Sequence, residues 1–313
     1  MHFVIMGSGA VGGYFGGRLA QAGEKVTFIA RNEHYKMMKQ HGLTIHSIVG
    51  DVHLPNITVV QNTAEIKNVD VIFIAVKSFQ LPPALAQIKP IINKATRIIP
   101  LLNGVNALEA ITTANIDKEN VYGGLAKIIS ELRSPGIISH TGAKPHITLG
   151  LASVAINDEV ELNRLKVIAD TLKNSGVSVG ITKNIQIAIW RKFIFVAAWG
   201  ALASLIKVPV GVLRSRQEPR MLLHSIVNEY ALLANAQGVF ITQVMIDETL
   251  TFIDSLPEYS ETSMQKDIAN GAMSEFSALV AFPKQLSDKH GINTPILDFC
   301  YTCLSAQLGF QPN

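Results

Sequence analysis

The sequence predicts an α/β fold in two parts: an N-terminal α/β domain on a parallel sheet, then an all-helical C-terminal domain. Three observations predict it. A glycine turn sits between an apolar strand and a helix at the start of the chain. Two nearly continuous apolar strands of the kind buried in a parallel sheet follow. Past Asn184 strand-like patterning stops and helical patterning takes over.

The first strand is the apolar run His2-Phe3-Val4-Ile5, and the first helix runs through Tyr14 to Ala20. Between them lies Met6-Gly7-Ser8-Gly9-Ala10-Val11-Gly12, a G-x-G-x-x-G turn led by a strand and followed by a helix. Gly7 permits the tight turn, Gly9 lets the backbone approach a pyrophosphate, and Gly12 lets the helix pack on the strand. The pyrophosphate is expected at the helix N-terminus, where unpaired N–H groups and the helix dipole favour an anion. Gly7, Ser8, Gly9, Ala10, Val11 and Gly12 are therefore candidate cofactor-binding residues of a Rossmann-type domain.

Gly23 ends the first helix, and Lys25-Val26-Thr27-Phe28-Ile29-Ala30 is the second strand. Dinucleotide folds that take NAD place Asp or Glu at its end, about 20 residues past the glycine turn, to bond the ribose 2′-hydroxyl. This chain has Arg31 there, with Glu33 the nearest acidic residue. A cation can pair with a 2′-phosphate, so NADP(H) is the expected cofactor.

Residues 33–68 are less regular, with short strands at Leu43-Thr44-Ile45 and Ile57-Thr58-Val59-Val60. His34, His41, His46 and His53 fall among them. Their spacings match no compact ligand pattern, and they are expected to be solvated loop histidines rather than a metal site.

Two strands then stand out. Val69 to Val76 ends in Lys77-Ser78, and Arg97 to Leu102 ends in Asn103-Gly104. Ligands of open parallel sheets bind outside the carboxyl ends of strands. The glycine turn, Arg31, Lys77 and Asn103 all fall at such ends, which makes Lys77 and Asn103 further cofactor-site candidates.

Residues 121–150 contain strand-like pieces with Gly/Pro punctuation and are expected to end the sheet in mixed directions. A helix over 158–175 and a strand Val177–Ile181 follow. Helices are then expected over Ile185–Ile206, Arg220–Gln237, Ile241–Ser255 and Met273–His290. The expected domains are 1–182 and 183–313.

Composition bounds the alternatives. The 313 residues are 48% hydrophobic and 16% charged with net charge +3, which fits two well-buried domains and offers no nucleic-acid surface. The opening residues carry no basic run ahead of the apolar strand, so no signal peptide is expected there. The uncharged run Phe193 to Ile206, between Lys192 and Lys207, is shorter than the about 20 residues a bilayer span requires. Two cysteines, Cys300 and Cys303, form a C-x-x-C without a second pair, read as small apolar residues of a buried helix in a cytoplasmic protein. The helical half is apolar enough to supply a homodimer interface, although its own core needs such helices equally.

A second constellation lies in the helical part. Trp190-Arg191-Lys192 immediately precedes the long apolar run, and partial burial there lowers a lysine pKa toward that of a usable proton donor. Ser263-Met264-Gln265-Lys266-Asp267 and Ser274-Glu275 follow. Taken with the glycine turn, Val76-Lys77 and Leu102-Asn103-Gly104-Val105, these motifs run nearly end to end, and the chain resembles the ketopantoate reductase (2-dehydropantoate 2-reductase) family.

The resemblance implies a Rossmann domain and a helical domain with the active site in the cleft between them. It also implies NADPH-dependent reduction of a 2-oxo acid, ketopantoate to pantoate for coenzyme A synthesis. Lys192 falls on the general acid that protonates the carbonyl oxygen. Glu275 falls on the carboxylate that helps hold the lysine and substrate, and Ser263 on the serine that binds the substrate carboxylate. Asn103 and Lys77 fall at the nicotinamide end, Asn103 also within reach of substrate, and Arg31 falls beside the adenosine 2′-phosphate. No metal is implied.

One feature departs from the family. Its well-studied members carry asparagines four and eight residues after the lysine and a third before the glycine of the next turn, where this chain has Val196, Gly200 and Val210. The first two share a helix face with Lys192. The substrate's 4-hydroxyl is then either unread or read by other groups such as Asn184 or Ser204. The alternatives are a reductase of a less polar 2-oxo acid and a non-catalytic NADP(H) sensor; a 3-hydroxy acid or 6-phosphogluconate-type dehydrogenase fits the Ser263–Glu275 segment poorly.

Overall fold

The computed structural model describes residues 1–152 and 158–309. The chain divides into two compact units: Met1–Leu102 with Asn106–Ile185, and Asn103–Val105 with Gln186–Asn313.

The first unit contains β1 (His2–Met6), α1 (Ala10–Gln21), β2 (Lys25–Ile29), α2 (Asn32–His41), β3 (Leu43–Ser47), β4 (Val52–Leu54), β5 (Thr58–Val60) and β6 (Val71–Ile74). It continues through α3 (Leu81–Ile88), β7 (Arg97–Pro100), α4 (Ala107–Thr113), β8 (Tyr122–Ser134), β9 (Ile137–Leu151), α5 (Glu159–Asn174) and β10 (Ser178–Ile181). Five strands form a parallel sheet in the order β5-β2-β1-β6-β7. Its side chains alternate between two apolar layers. Phe3, Ile5, Phe73 and Ile99 pack with residues of α1, β9 and α5, whereas Val4, Ile72, Ile74 and Ile98 pack with residues of α3 and α4. Burial on both faces is why these strands are apolar without interruption.

Helix α1 fits only because two of its faces carry no side chains. A Cβ on Gly16 would stand 2.6 Å from the Phe28 ring, and one on Gly17 would stand 2.5 Å from Ile45 Cδ1. The helix is thus pressed between the parallel sheet and a second sheet.

That second sheet corrects one expectation. Residues 121–150 do not extend the parallel sheet. Instead β8 and β9 form a long antiparallel hairpin, and β9 also pairs in parallel with β3 and β10, while β3 pairs with β4. An isolated bridge, Ile98 to Val121, joins this region to the parallel sheet. The Pro135-Gly136 turn, with Gly136 at φ 82°, sends the chain back on itself. An ionic knot supports the arrangement from outside the site. Arg97 on β7 donates to both oxygens of Glu161 on α5 at 2.8 and 2.6 Å, and the Tyr122 hydroxyl donates to the same carboxylate at 2.5 Å.

The irregular stretch after Arg31 also differs. Residues Asn32–His41 form α2, whose sequence is almost wholly polar because Met38 alone is fully buried on it. The four histidines are not loop residues: His34 and His41 lie on α2, His46 on β3 and His53 on β4. His34 is half-buried and hydrogen-bonded at both ring nitrogens. No metal-holding group of His, Cys, Asp and Glu occurs among the described residues.

The second unit holds α6 (Ile185–Ile206), α7 (Val210–Ser215), α8 (Gln217–Ala236), α9 (Gln243–Asp254), α10 (Ser263–Ala269), α11 (Phe282–His290) and α12 (Pro295–Leu308). Its core gathers Trp190, Phe193 and Ala197 of α6 with Tyr230, Leu279 and Leu297. Helix α6 is longer than the uncharged run within it: its 22 residues are apolar enough, by length and composition, to cross a membrane. Its most apolar window is 61% buried within the protein, as expected of a core helix that is apolar all round. Cys300 is buried on α12, where burial pushes its thiol up to about 12.

The expected helix over 273–290 begins later. A π-helical turn at Ser277–Ala281 leads into α11, and the stretch before it, which includes Glu275, is outside the helix. The Tyr230 hydroxyl donates to the Leu279 carbonyl at 2.6 Å, satisfying an acceptor within this turn.

Candidate functional site

The glycine turn shows how residue size shapes the carboxyl end of β1. Gly7 has φ 96°, and a Cβ there would meet Val76 Cγ1 at 2.7 Å and the Ala75 carbonyl oxygen at 2.8 Å. A Cβ on Gly12 would fall 2.0 Å from the Gly7 carbonyl oxygen. Gly9 is different: a Cβ there would meet no protein atom within 4 Å. The first two glycines are required by the protein itself, whereas the third keeps open the space in front of the helix. Gly9 is also the N-cap of α1, and no side chain caps it. An open approach to an uncapped twelve-residue helix N-terminus fits the pyrophosphate of a dinucleotide.

Ser8 between the glycines is buried and fixed from two sides. Its hydroxyl donates to the Ile29 carbonyl at 3.1 Å, and its own carbonyl lies 2.8 Å from His34 Nε2. Ala10 and Val11 open α1.

Arg31 is exposed at the start of α2, and its Nη2 donates to Gln87 Oε1 at 2.9 Å. Gln87 in turn donates to the Gln61 carbonyl at 2.8 Å, so the guanidinium is held on a short polar tether. The nearby Glu33 is paired with Lys36 one turn along α2, at 3.1 Å. Lys77 is half-buried past the end of β6 and begins a short 3-10 turn, Ser78–Gln80.

In the helical unit, residues far apart in sequence converge. Lys192 Nζ on α6 donates to Asn103 Oδ1 at 3.0 Å, and Asn103 Nδ2 donates to Glu275 Oε2 at 3.0 Å. The amide is a two-sided connector: its acceptor faces the ammonium and its donor faces the carboxylate. Glu275 is 3% exposed, whereas Lys192 and Asn103 are half-buried, so the carboxylate end of this polar chain is the part removed from water, where such bonds are stronger. Asn103 belongs here because the short segment Asn103–Val105 packs with the helical unit although β7 leads into it.

Ser263 is the first residue of α10 and is exposed. The N-cap role falls to its neighbour Thr262, whose hydroxyl accepts from the Gln265 N–H at 3.1 Å. That leaves the Ser263 hydroxyl available to a ligand. The positions that depart from asparagine also acquire surroundings. A Cβ on Gly200 would lie 3.3 Å from Thr262 Cγ2 and 3.6 Å from Met264 Cε, so the turn before α10 closes against α6 there. Val210 is buried, Val196 half-buried. One turn beyond Gly200, Ser204 is 2% exposed and its hydroxyl has no partner among the described residues.

His34, expected from the sequence to be a solvated loop histidine, instead bonds the glycine turn at Ser8. Its polar helix gave no periodic signal, and its partners, Ser8 and Gly136, are remote in sequence.

Comparison with known proteins decides the family. The profile described as "Ketopantoate reductase PanE/ApbA" matches residues 3–153, and its "C terminal" counterpart matches residues 184–307. The chain belongs to the ketopantoate reductase family. Similar family members include YkpB of Bacillus subtilis (strain 168), described as an uncharacterized oxidoreductase, at 30% identity over 97% of this chain and 98% of that one. A 2-dehydropantoate 2-reductase of Nostoc sp. is 26% identical over 98% of this chain and 94% of its own. Among solved structures, a 2-dehydropantoate 2-reductase of Geobacter metallireducens GS-15 superposes with TM-score 0.87 at 30% identity, covering 98% of this chain and 99% of that one. D-mandelate dehydrogenase with NADH and anilino(oxo)acetate gives TM-score 0.87 at 27% identity, with 99% of each chain covered. This ketopantoate reductase family member is thus an oxidoreductase of a fold that takes a nicotinamide dinucleotide.

Proposed function

We propose that this protein catalyses the NADPH-dependent reduction of a 2-oxo acid to a 2-hydroxy acid, with 2-dehydropantoate giving pantoate as the first substrate to test. In this reading residues 1–182 are the dinucleotide-binding domain and 183–313 the substrate domain. The observation that carries it is the Lys192–Asn103–Glu275 chain, two hydrogen bonds of 3.0 Å that present an ammonium beside a buried carboxylate. A bound nicotinamide supplies the hydride.

The protein's own residues do the rest. Negative charge develops on the substrate's carbonyl oxygen as it is reduced, and Lys192 Nζ stabilises that charge and donates the proton. Asn103 fixes the ammonium's position through Oδ1. Glu275, anchored by the Asn103 amide, places a carboxylate on the far side of that amide from Lys192. Ser263 donates its free hydroxyl to the substrate carboxylate. Gly7 to Gly12 receive the pyrophosphate, Arg31 pairs with the 2′-phosphate, and Lys77 lies toward the nicotinamide. The two free thiols fit a reducing cytoplasm.

A second reading, a less polar 2-oxo acid as substrate, is favoured by Gly200. A side chain there would meet the Thr262 methyl at 3.3 Å, its hydroxyl at 3.4 Å and Met264 Cε at 3.6 Å; with no amide at this position to read a substrate hydroxyl, discrimination for one is weak. Following NADPH oxidation with 2-dehydropantoate beside branched and aryl 2-oxo acids separates the readings. Turnover with 2-dehydropantoate in preference supports the first, and preference for an unhydroxylated acid supports the second. No turnover on any of them, with NADPH still bound, would leave a sensor.

A further inference from the structure

The ring of His34 links three parts of the first unit. Its Nδ1 lies 3.0 Å from the Gly136 backbone nitrogen at the tip of the β8–β9 hairpin, and its Nε2 lies 2.8 Å from the Ser8 carbonyl oxygen in the glycine turn. The partners dictate the tautomer. An N–H can only donate, so Nδ1 must accept from Gly136. A carbonyl can only accept, so Nε2 must carry the proton and donate to Ser8. Only the neutral Nε2–H form satisfies both. Burial holds the imidazole pKa below its ordinary value, which favours that same form.

Both ends are firmly based. The Gly136 carbonyl accepts from the Thr44 N–H on β3 at 2.9 Å, so the hairpin tip is tied into the second sheet. On the other side, the Ser8 hydroxyl is bonded to the end of β2. Ser8 is therefore braced from both directions, and the residue after it is Gly9, the one glycine of the motif with open space before it.

We propose that His34 is a positioning residue of the dinucleotide site, fixing the Ser8 carbonyl so that the glycine turn and the first N–H groups of α1 stay aimed at a pyrophosphate. The inference rests on the dinucleotide reading given above. It follows from preorganisation: donors that already point at an anion lose less freedom when it binds.

The test uses two near-isosteric replacements that each keep one end of the ring. In His34→Gln the side-chain amide nitrogen falls near the Nε2 position and can still donate to Ser8, while the Gly136 bond is lost. In His34→Asn the amide oxygen falls near Nδ1 and can still accept from Gly136, while the Ser8 bond is lost. Dissociation constants for NADPH and NADH are read from the change in dinucleotide fluorescence, and Tm is recorded alongside. Both Kd values are expected to rise about five- to tenfold in His34→Ala and His34→Asn, the worth of one well-placed hydrogen bond. In His34→Gln they stay within about twofold of the wild type, although its Tm falls as that of His34→Asn does. NADPH and NADH should respond alike, since the pyrophosphate is common to both.

An unchanged Kd in His34→Ala overturns the inference. So does the reverse pattern, with His34→Asn binding normally and His34→Gln weakly, or a Kd that simply follows Tm across the three variants. Wild-type protein that binds neither dinucleotide would overturn the dinucleotide reading itself and this inference with it.

Discussion

The two units build their candidate sites from different parts of the residue. In the parallel-sheet unit the site is main chain. Gly7, Gly9 and Gly12 contribute by lacking atoms, and what the proposed dinucleotide would meet is backbone N–H at the start of α1. In the helical unit the site is side chain: an ammonium, an amide and a carboxylate joined by two hydrogen bonds. A main-chain site is damaged by adding atoms and a side-chain site by removing them. Additions in the first unit should therefore change dinucleotide affinity, and deletions in the second should change turnover.

The largest effect is expected at Lys192. Removing the proton donor and the charge that meets the developing oxyanion should lower kcat by about 10²–10⁴ in Lys192→Ala. Dinucleotide Kd should stay near the wild-type value, because no glycine-turn contact is touched. Single-turnover kinetics beside fluorescence titration measure both. A variant that loses binding and keeps turnover per bound complex would erase the proposed division between units.

Next is Gly9→Ala, which adds a methyl group where the protein has no atom within 4 Å. Gly9 has a negative φ, −69°, so the substitution does not force a left-handed residue. Thermal stability should be unchanged, whereas NADPH and NADH should both bind about tenfold more weakly because the methyl group occupies the pyrophosphate's approach. Gly12→Ala is the sharpening control. Its Cβ would fall 2.0 Å from the Gly7 carbonyl oxygen, so it should lower Tm as well as affinity. Equal Tm losses in the two variants would mean that Gly9 is needed by the fold, not by a ligand.

Arg31→Ala should be smaller still and selective. The guanidinium is exposed and tethered to Gln87, so screening limits what it contributes. NADPH should weaken about fivefold relative to NADH, the difference reporting the charge-assisted contact to the 2′-phosphate. Equal weakening of both dinucleotides would remove the NADPH assignment in favour of a general electrostatic role.

The same contrast explains what the sequence made legible. The glycine turn is local: strand, turn and helix lie within the first twenty-odd residues, and each glycine's role follows from its neighbours in the chain. The parallel strands were visible because both faces of each are buried. The Lys192–Asn103–Glu275 chain is assembled across residues separated by whole helices, and no periodicity links Asn103 to Glu275. The family motifs placed those residues in one site, but the bridging part played by the Asn103 amide emerged only from three-dimensional geometry. Other departures have similar causes. The β8–β9 hairpin alternates like any sheet strand, so nothing local shows which sheet it joins. Helix α2 buries too little to leave an apolar stripe, which hid His34. The segment around Glu275 was expected to be helical because the apolar residues after it are, yet the helix begins beyond it.

A last prediction concerns acid stability, where carboxylates of the two units respond in opposite senses. On the sheet side, the Arg97 guanidinium beside Glu161 holds its carboxyl at about 2, and Tyr122 adds a hydrogen bond to the same group. On the helical side, burial raises the carboxyl of Glu229, although the Ile296 and Leu297 N–H groups donate to it at 3.0 and 2.8 Å at the start of α12. A depressed folded-state pKa stabilises above the unfolded value, near 4.5 for Glu161, and that stabilisation is lost as pH falls toward about 2. A raised one runs the other way, so acidification relieves the cost of burying the Glu229 charge. Glu161→Gln should therefore lower the urea midpoint at neutral pH and flatten its decline between pH 4.5 and 2, with dinucleotide Kd and turnover unchanged at neutral pH. If the decline keeps its wild-type slope, the acid sensitivity of the sheet unit resides in other carboxylates, and the Arg97–Glu161–Tyr122 knot contributes packing without a net electrostatic gain.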